Sequence, residues 1–224
     1  MGQITASLSH ELNQPLTAIL SNAQAGIRFI DSNESSPELL KNILQKIVSN
    51  DKRTASILSS IRGMLKLESK EKEKVNLNSL IKKVVSVYRS EAKKLNIKIS
   101  VSLPDTITYV LADQTQIEQV ILNFIFNASQ AMEKTDTLKK IIKIRQYINE
   151  GLVTVSVRDN GKGIDEALKE EIFKPFITSK KEGMGIGLSI CQSIIEDHRG
   201  KIWTENLPEG GAEFSFSLGI ISNE

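Results

Sequence analysis

The chain has 224 residues, 25% charged and 40% hydrophobic, with a formal net charge of +2, which suits a globular protein of one large or two modest domains. The near-neutral balance, with no dense Lys/Arg patch interleaved with aromatics, argues against nucleic acid as a partner, and a lone cysteine excludes both an internal disulfide framework and a cysteine-based zinc site. No apolar run reaches the ~18 residues of a membrane span and no signal-peptide pattern opens the chain, so a soluble, cytoplasmic protein is expected.

Ile4, Leu8, Leu12, Leu16, Ile19, Ala23, Ile27 and Ile30 recur in steps of three and four, one helical stripe. At ~100° per residue, His10 points away from the middle of that stripe and is expected to be exposed. A lone surface histidine is usually an ordinary one, but its neighbours set this one apart. Glu11 can orient the imidazole, or take a proton from one ring nitrogen as the other attacks. Pro15 cannot donate to the Glu11 carbonyl, so the helix should bend just past His10. Proline costs ~3 kcal/mol in a helix interior, which suggests that the bend is used. A turn follows over 31–35. Ser36 then caps a second helix with Pro37 at its first position and Glu38 in its first turn. Its stripe is Leu40, Ile43, Ile47, Ile57, Leu58, Ile61 and Leu65, with a polar interruption over 50–53. Two helices cannot bury both stripes; a second copy can, giving a four-helix bundle about a two-fold axis and hence a homodimer.

The segment 66–74 alternates charge signs and reads as a solvated helix end or hinge, dividing the chain into 1–70 and 71–224. Beyond it the pattern predicts a helix over 78–95, strands over 97–103 and 108–111, and a helix over 113–134. Strands over 141–148 and 152–158 follow, the second alternating Val153, Val155 and Val157 with polar residues. A helix over 188–197 contains Cys191 as a core residue. Two closing strands end the chain, the last alternating Phe214, Phe216, Leu218 and Ile220. The class is α+β, a helical hairpin followed by an α/β sandwich with helices on a mixed sheet.

Three polar motifs stand out in the second part. Asn123, Asn127 and Gln130 form a row beside the apolar stripe of the 113–134 helix. Asparagine is a poor helix former, and amides one turn apart suit a hard cation or phosphate oxygens, although a solvated face would look the same. Asp159-Asn160-Gly161-Lys162-Gly163 follows a strand and is also common turn chemistry. Gly183-Met184-Gly185-Ile186-Gly187-Leu188 opens a helix, an arrangement that binds phosphate, but it lacks the Gly-Lys-Ser/Thr ending of a P-loop. Before it come Ile172-Phe173-Lys174-Pro175-Phe176 and a polar stretch from Thr178-Ser179-Lys180, suited to a mobile lid.

In this order and spacing the segments resemble the catalytic core of bacterial sensor histidine kinases. His10-Glu11-Leu12-Asn13-Gln14-Pro15-Leu16 resembles the phosphoacceptor box, and the three motifs and the phenylalanine pair resemble the boxes of the ATP-binding domain shared with DNA gyrase and ninety-kilodalton chaperones. The resemblance implies ATP and Mg²⁺ as cofactors, His10 as acceptor with Glu11 assisting, and a response-regulator receiver domain as partner. It implies a magnesium ligand at Asn127 and an acceptor for the adenine amino group at Asp159, with Gly161 and Gly163 letting the backbone approach the base. Nucleotide contacts are implied at Asn123, Gln130, Phe173, Phe176, Lys180, Gly183, Gly185, Gly187 and Leu188. Hydrolysing relatives carry a glutamate where this chain has Asn123; the amide cannot act as a general base, so slow hydrolysis and transfer to histidine are expected. A slow ATPase of the same fold and a degenerate ATP-binding docking module are the alternatives. Gln130 replaces a basic residue common in the family, and Gln14 a Thr or Asn linked to dephosphorylating the regulator. His198 reads as a capping or packing residue. A sensor domain has no room before His10 and is expected in a longer, and conceivably membrane-tethered, protein.

Overall fold

The computed structural model describes residues 2–32, 36–65, 71–133, 139–178 and 185–221, without the side chains of 2–12, 52–53 and 55–65. The chain divides into two compact units, Met1–Leu67 and Glu68–Glu224.

The first unit is a pair of helices, α1 (Gly2–Asp31) and α2 (Pro37–Leu65). Ser36 caps α2 as its position predicts: Leu39 N donates to Ser36 Oγ at 3.1 Å. The polar interruption does not break the helix, because it bonds to the helix's own carbonyls. Asn50 Nδ2 donates to Lys46 O at 2.8 Å and Thr54 Oγ1 to Asn50 O at 2.9 Å. Pro15 is buried within α1. Gly26 of α1 faces Ile43 of α2: a Cβ there would sit in ordinary contact, 3.5 Å from Ile43 Cγ2. A second apolar side stays in water: Leu16, Leu20, Ile27 and Ile30 on α1, and Leu44 and Val48 on α2, are exposed. Covering such side chains is worth about 1.5–3 kcal/mol each. Among the described residues, no helix is long and apolar enough to cross a membrane.

The second unit starts sooner than the charge pattern suggests. Lys72 Nζ pairs with Asp197 Oδ2 at 2.9 Å, which holds that carboxyl below its ordinary range. Glu73–Asn76 form strand β1, antiparallel to β3 (Tyr109–Ala112). The expected hinge therefore stops before residue 72, and its remainder, 66–70, lies outside the described residues. Only Val75 of β1 is buried, so nothing within those four residues marks a strand; the pairing does. This ribbon stands apart from the main sheet of β2 (Ile97–Ser102), β4 (Lys140–Asn149), β5 (Leu152–Asp159), β6 (Lys201–Asn206) and β7 (Ala212–Gly219), ordered β2-β4-β5-β7-β6. The β2–β4 pair is parallel and the others are antiparallel, the mixed sheet expected. Ile220 falls just past β7 and bridges to Val110, tying ribbon to sheet.

Helices α3 (Leu77–Lys94), α4 (Gln114–Ala131) and α5 (Gly187–Asp197) supply the other layer. Asn76 caps α3 through Ser79 N, and Asp113 caps α4 through Thr115 N and Gln116 N. Val153, Val155 and Val157 pair with Leu218, Phe216 and Phe214. The Phe124 ring of α4 meets the latter two rings at 6.2 and 5.5 Å between centroids. His198 is a packing residue, as expected. It is buried, its Nε2 accepts from Asp113 N at 2.9 Å and its Nδ1 lies 2.7 Å from Ile194 O, so the end of α5 is bonded to the start of α4. Asn78 holds a buried network. Its Oδ1 accepts from Thr108 N and Gln146 Nε2, both at 3.1 Å, and its Nδ2 donates to Pro104 O and Thr106 O. Asn78→Ala strands these groups at about 1–3 kcal/mol for a buried unsatisfied one. We expect urea unfolding to show the second unit less stable by about 2–3 kcal/mol; a loss under about 0.5 kcal/mol would mean that water replaces the amide freely.

Candidate functional site

The apolar face of α4 (Ile117, Val120, Ile121, Phe124, Ile125 and Ala128) is buried, which fixes the direction of its polar row. Asn123 and Asn127 are half-buried, one turn apart, and Gln130 is exposed. Asn123 Nδ2 donates to Gly187 O at 3.3 Å and lies 3.4 Å from Cys191 Sγ. The asparagine helix is thereby joined to the first turn of the glycine-led helix. Cys191 is buried, as expected of a core residue, and desolvation pushes its thiol up to about 12, so the sulfur facing Asn123 is a neutral thiol.

Helix α5 begins differently from its neighbours. Its N-cap position is Ile186, which makes no side-chain cap, so the first-turn N–H groups keep their capacity to donate. A Cβ on Gly187 would meet nothing nearer than Asn123 Oδ1 at 3.8 Å. Among the described residues, packing does not require glycine there, and the backbone opens beside an amide. Donors at a helix start, with a dipole favouring negative charge, suit phosphate. Leu188 is half-buried.

The Asp159 loop is held from three sides. Asp159 is 3% exposed and its Oδ1 accepts from Gly161 N at 2.7 Å, a local turn. A Cβ on Gly161 would lie 2.8 Å from Ala131 O, so the loop presses directly on the end of α4. Asn160 Oδ1 accepts from Ile141 N and its Nδ2 donates to Lys139 O, at 2.8 and 2.7 Å. Asn206 Oδ1 accepts from Ile164 N at 2.7 Å, and its Nδ2 donates to Ile164 O and Glu166 Oε1, both at 2.8 Å. Gly163, at φ +76°, backs onto Asn206, and Gly211, at φ +89°, onto the Asp159 carbonyl. Asn206 and Gly211 escaped sequence reasoning. Gly210-Gly211 reads as a turn between strands, and only the β5–β7 and β6–β7 pairings carry it to Asp159.

Phe173 and Phe176 are half-buried. Phe176 adopts φ 67°, unusual for a bulky residue, and its N–H donates to Gly185 O at 3.1 Å. Gly185 has φ +66°, and a Cβ there would fall 2.5 Å from Ile177 O. This contact closes the base of the segment 179–184. Ser179, Lys180, Gly183 and Met184 lie outside the described residues.

The second unit thus joins the four motifs by three contacts: Asn123 with Gly187, the Asp159 loop with the end of α4, and Phe176 with Gly185. His10 and Glu11 lie in α1 of the first unit, their side chains outside the described residues. Among the described residues, no three His, Cys, Asp or Glu side chains gather as a metal cage.

Residues 1–70 match the family model of the His kinase A (phospho-acceptor) domain, and residues 112–220 that of the histidine kinase-, DNA gyrase B- and HSP90-like ATPase. The chain is 32% identical over 222 residues to sensor histidine kinase TmoS of Ectopseudomonas mendocina, covering 98% of this chain and 23% of TmoS. It spans less than half the length of the curated relatives it resembles. The nucleotide-free catalytic domain of histidine kinase ThkA is 41% identical, with a TM-score of 0.60 over 67% of this chain and 96% of that one. ThkA in complex with response regulator protein TrrA is 33% identical, with a TM-score of 0.77 over 98% of this chain and 62% of that one.

Gly185→Ala places a Cβ in a left-handed backbone position, at roughly 1–2 kcal/mol, and against the Ile177 carbonyl. We expect it to lower the melting temperature and to weaken binding of a fluorescent adenine nucleotide by about tenfold, at least the 1.4 kcal/mol that tenfold represents. Affinity and melting temperature both matching wild type would show that the 176–185 contact does not shape the site.

Proposed function

The chain belongs to the sensor histidine kinases of two-component signal transduction, and from that premise we propose that it transfers the γ-phosphoryl group of ATP to its own His10 and then to an aspartate of a response-regulator receiver domain. Residues 1–70 act as the dimerisation and phosphotransfer hairpin and 71–224 as the nucleotide domain. A second copy covers the apolar side that Leu16, Leu20, Ile27, Ile30, Leu44 and Val48 leave exposed. The regulator as partner is supported by the ThkA–TrrA complex.

The observation that carries the reading is the joint between α4 and α5, where an amide meets a glycine-led, uncapped helix start. Those N–H groups bind phosphate oxygens, with Asn123 and Gln130 alongside. The buried Asp159 carboxylate accepts from the exocyclic amino group of adenine; an acceptor-only group tells adenine from guanine, which offers an oxygen there. Phe173, Phe176, Leu188, Lys180 and the glycines at 161, 163, 183 and 185 line or close over the nucleotide. Magnesium keeps several waters and takes phosphate oxygens, so it needs only one or two protein oxygens, and Asn127 Oδ1 is suited to that task. When bound, the ion would neutralise charge on the phosphates. His10 is the nucleophile, with Glu11 fixing its tautomer or taking its proton. Asn123, an amide whose nitrogen already donates to Gly187 O, has no basic atom with which to activate water, which favours transfer over hydrolysis.

Incubation with γ-labelled ATP and Mg²⁺ tests the reading. We expect label on the protein that is lost in acid, kept in alkali and absent from His10→Gln, whose ATP affinity stays within about twofold of wild type because its change lies in the other unit. Labelled free phosphate without labelled protein would replace the kinase with an ATPase. Asp159→Asn swaps an acceptor for a donor facing the adenine amino group. At about 1.5–3 kcal/mol for a bond to a charged group, ATP affinity should fall about tenfold or more; wild-type affinity would place adenine elsewhere.

A further inference from the structure

The amide of Asn123 bonds to another helix, and the bond defines which end faces where. Its nitrogen meets a carbonyl, Gly187 O at 3.3 Å, and a thiol sulfur, Cys191 Sγ at 3.4 Å. A carbonyl oxygen only accepts, so the nitrogen and not the oxygen of Asn123 must face α5. Residues 187 and 191 are one turn apart, hence on the same face of α5, and the amide's two hydrogens match the two acceptors. The chain entering α5 is also held by the buried Ile186 side chain and by Ser189 Oγ, which donates to Ile186 O at 2.8 Å, but neither of these joins the first turn to the polar row of α4. Ile186 gives no side-chain cap, and glycine at its first position carries no side chain to pack.

We propose that Asn123 is a positioning residue: its amide nitrogen staples α4 to the first turn of α5 through the Gly187 carbonyl and Cys191 sulfur, and so aims the free N–H groups of α5 at the phosphates. This rests on α5 being the phosphate-binding helix. It also gives the amide at 123 a reason apart from the lack of a base. An aspartate there would set an acceptor against the Gly187 carbonyl and lose the bond between the helices. Cys191 is the partner that allows it, as a small buried acceptor whose burial keeps it uncharged.

The test uses Asn123→Asp, nearly isosteric but without the donor, in the full chain free of nucleotide. Amide hydrogen exchange is read at Ile190 and Cys191, in the turn next to the staple. We expect exchange there at least tenfold faster, Mg·ATP affinity at least tenfold weaker and adenosine affinity within twofold of wild type. Weaker Mg·ATP affinity with unchanged exchange at those amides would overturn the proposal, because Asn123 would then touch the phosphates itself. If Asn123→Asp loosens the whole unit, Cys191→Ala decides instead. Exchange about threefold faster at the same two amides supports the staple, and no change there overturns it. The kinase reading fails separately: wild type that binds Mg·ATP but never labels His10 refutes it, while the exchange result on nucleotide-free protein still decides the staple.

Discussion

An amide joins the two helices of the candidate site. Asn123 reaches from α4 to the Gly187 carbonyl of α5, and most of the second unit serves to bring those groups within reach. Phe124 beside it is locked between Phe214 and Phe216 of β7, so α4 cannot rotate on the sheet without losing core. At the other end of α5, His198 accepts from the N–H of Asp113, the residue that caps α4. The two helices are thus bonded at two places, one near each end of α5. The remaining variable is the tilt of the first turn of α5, and an amide with both a carbonyl and a thiol before it limits that tilt.

What the sequence makes legible is whatever rests on local periodicity. The stripe of α4, the Ser36 cap and the buried Cys191 follow from spacing and composition, whereas β5, whose alternation predicts a half-buried strand, has Thr154 and Ser156 buried along with its valines. What escapes rests on partners far away in the chain. β1 is a strand because β3 lies beside it, and its own four residues are two charged ones, a single valine and an asparagine. Asn206 and Gly211 matter because β6 and β7 fold them against the Asp159 loop. The directions of the site are illegible for the same reason. Three polar residues on one helix face give a row, but only α5 shows that one of them is turned inward to another helix.

The hairpin poses the opposite problem, having more apolar surface than one chain can use. Gly26 and Ile43 seal the side facing the partner helix, while Leu16, Leu20, Ile27, Ile30, Leu44 and Val48 remain in water. Exposed apolar side chains scattered singly need no explanation, but these recur at helical spacing. A heptad-like stripe is what a second helix pair covers, so this surface fits the two-fold bundle proposed above.

The glycines separate what the fold needs from what a ligand needs. Gly161, Gly163, Gly185 and Gly211 are each required by the chain itself: a Cβ would strike Ala131 O, Asn206 Oδ1, Ile177 O or Asp159 O, and three of the four have positive φ. Their presence would be demanded even if no nucleotide ever bound. Gly187 is different. Its φ is not in the left-handed region and, among the described residues, its Cβ would find room, yet glycine is a poorer helix former than alanine. A residue that the described part of the fold tolerates but does not need, placed where N–H groups open beside an amide, fits the phosphate site proposed above. A tetrahedral anion seated on the first turn would use the space that a methyl group would take, which makes Gly187 the part of the glycine motif that speaks for phosphate, while Gly185 speaks for the fold.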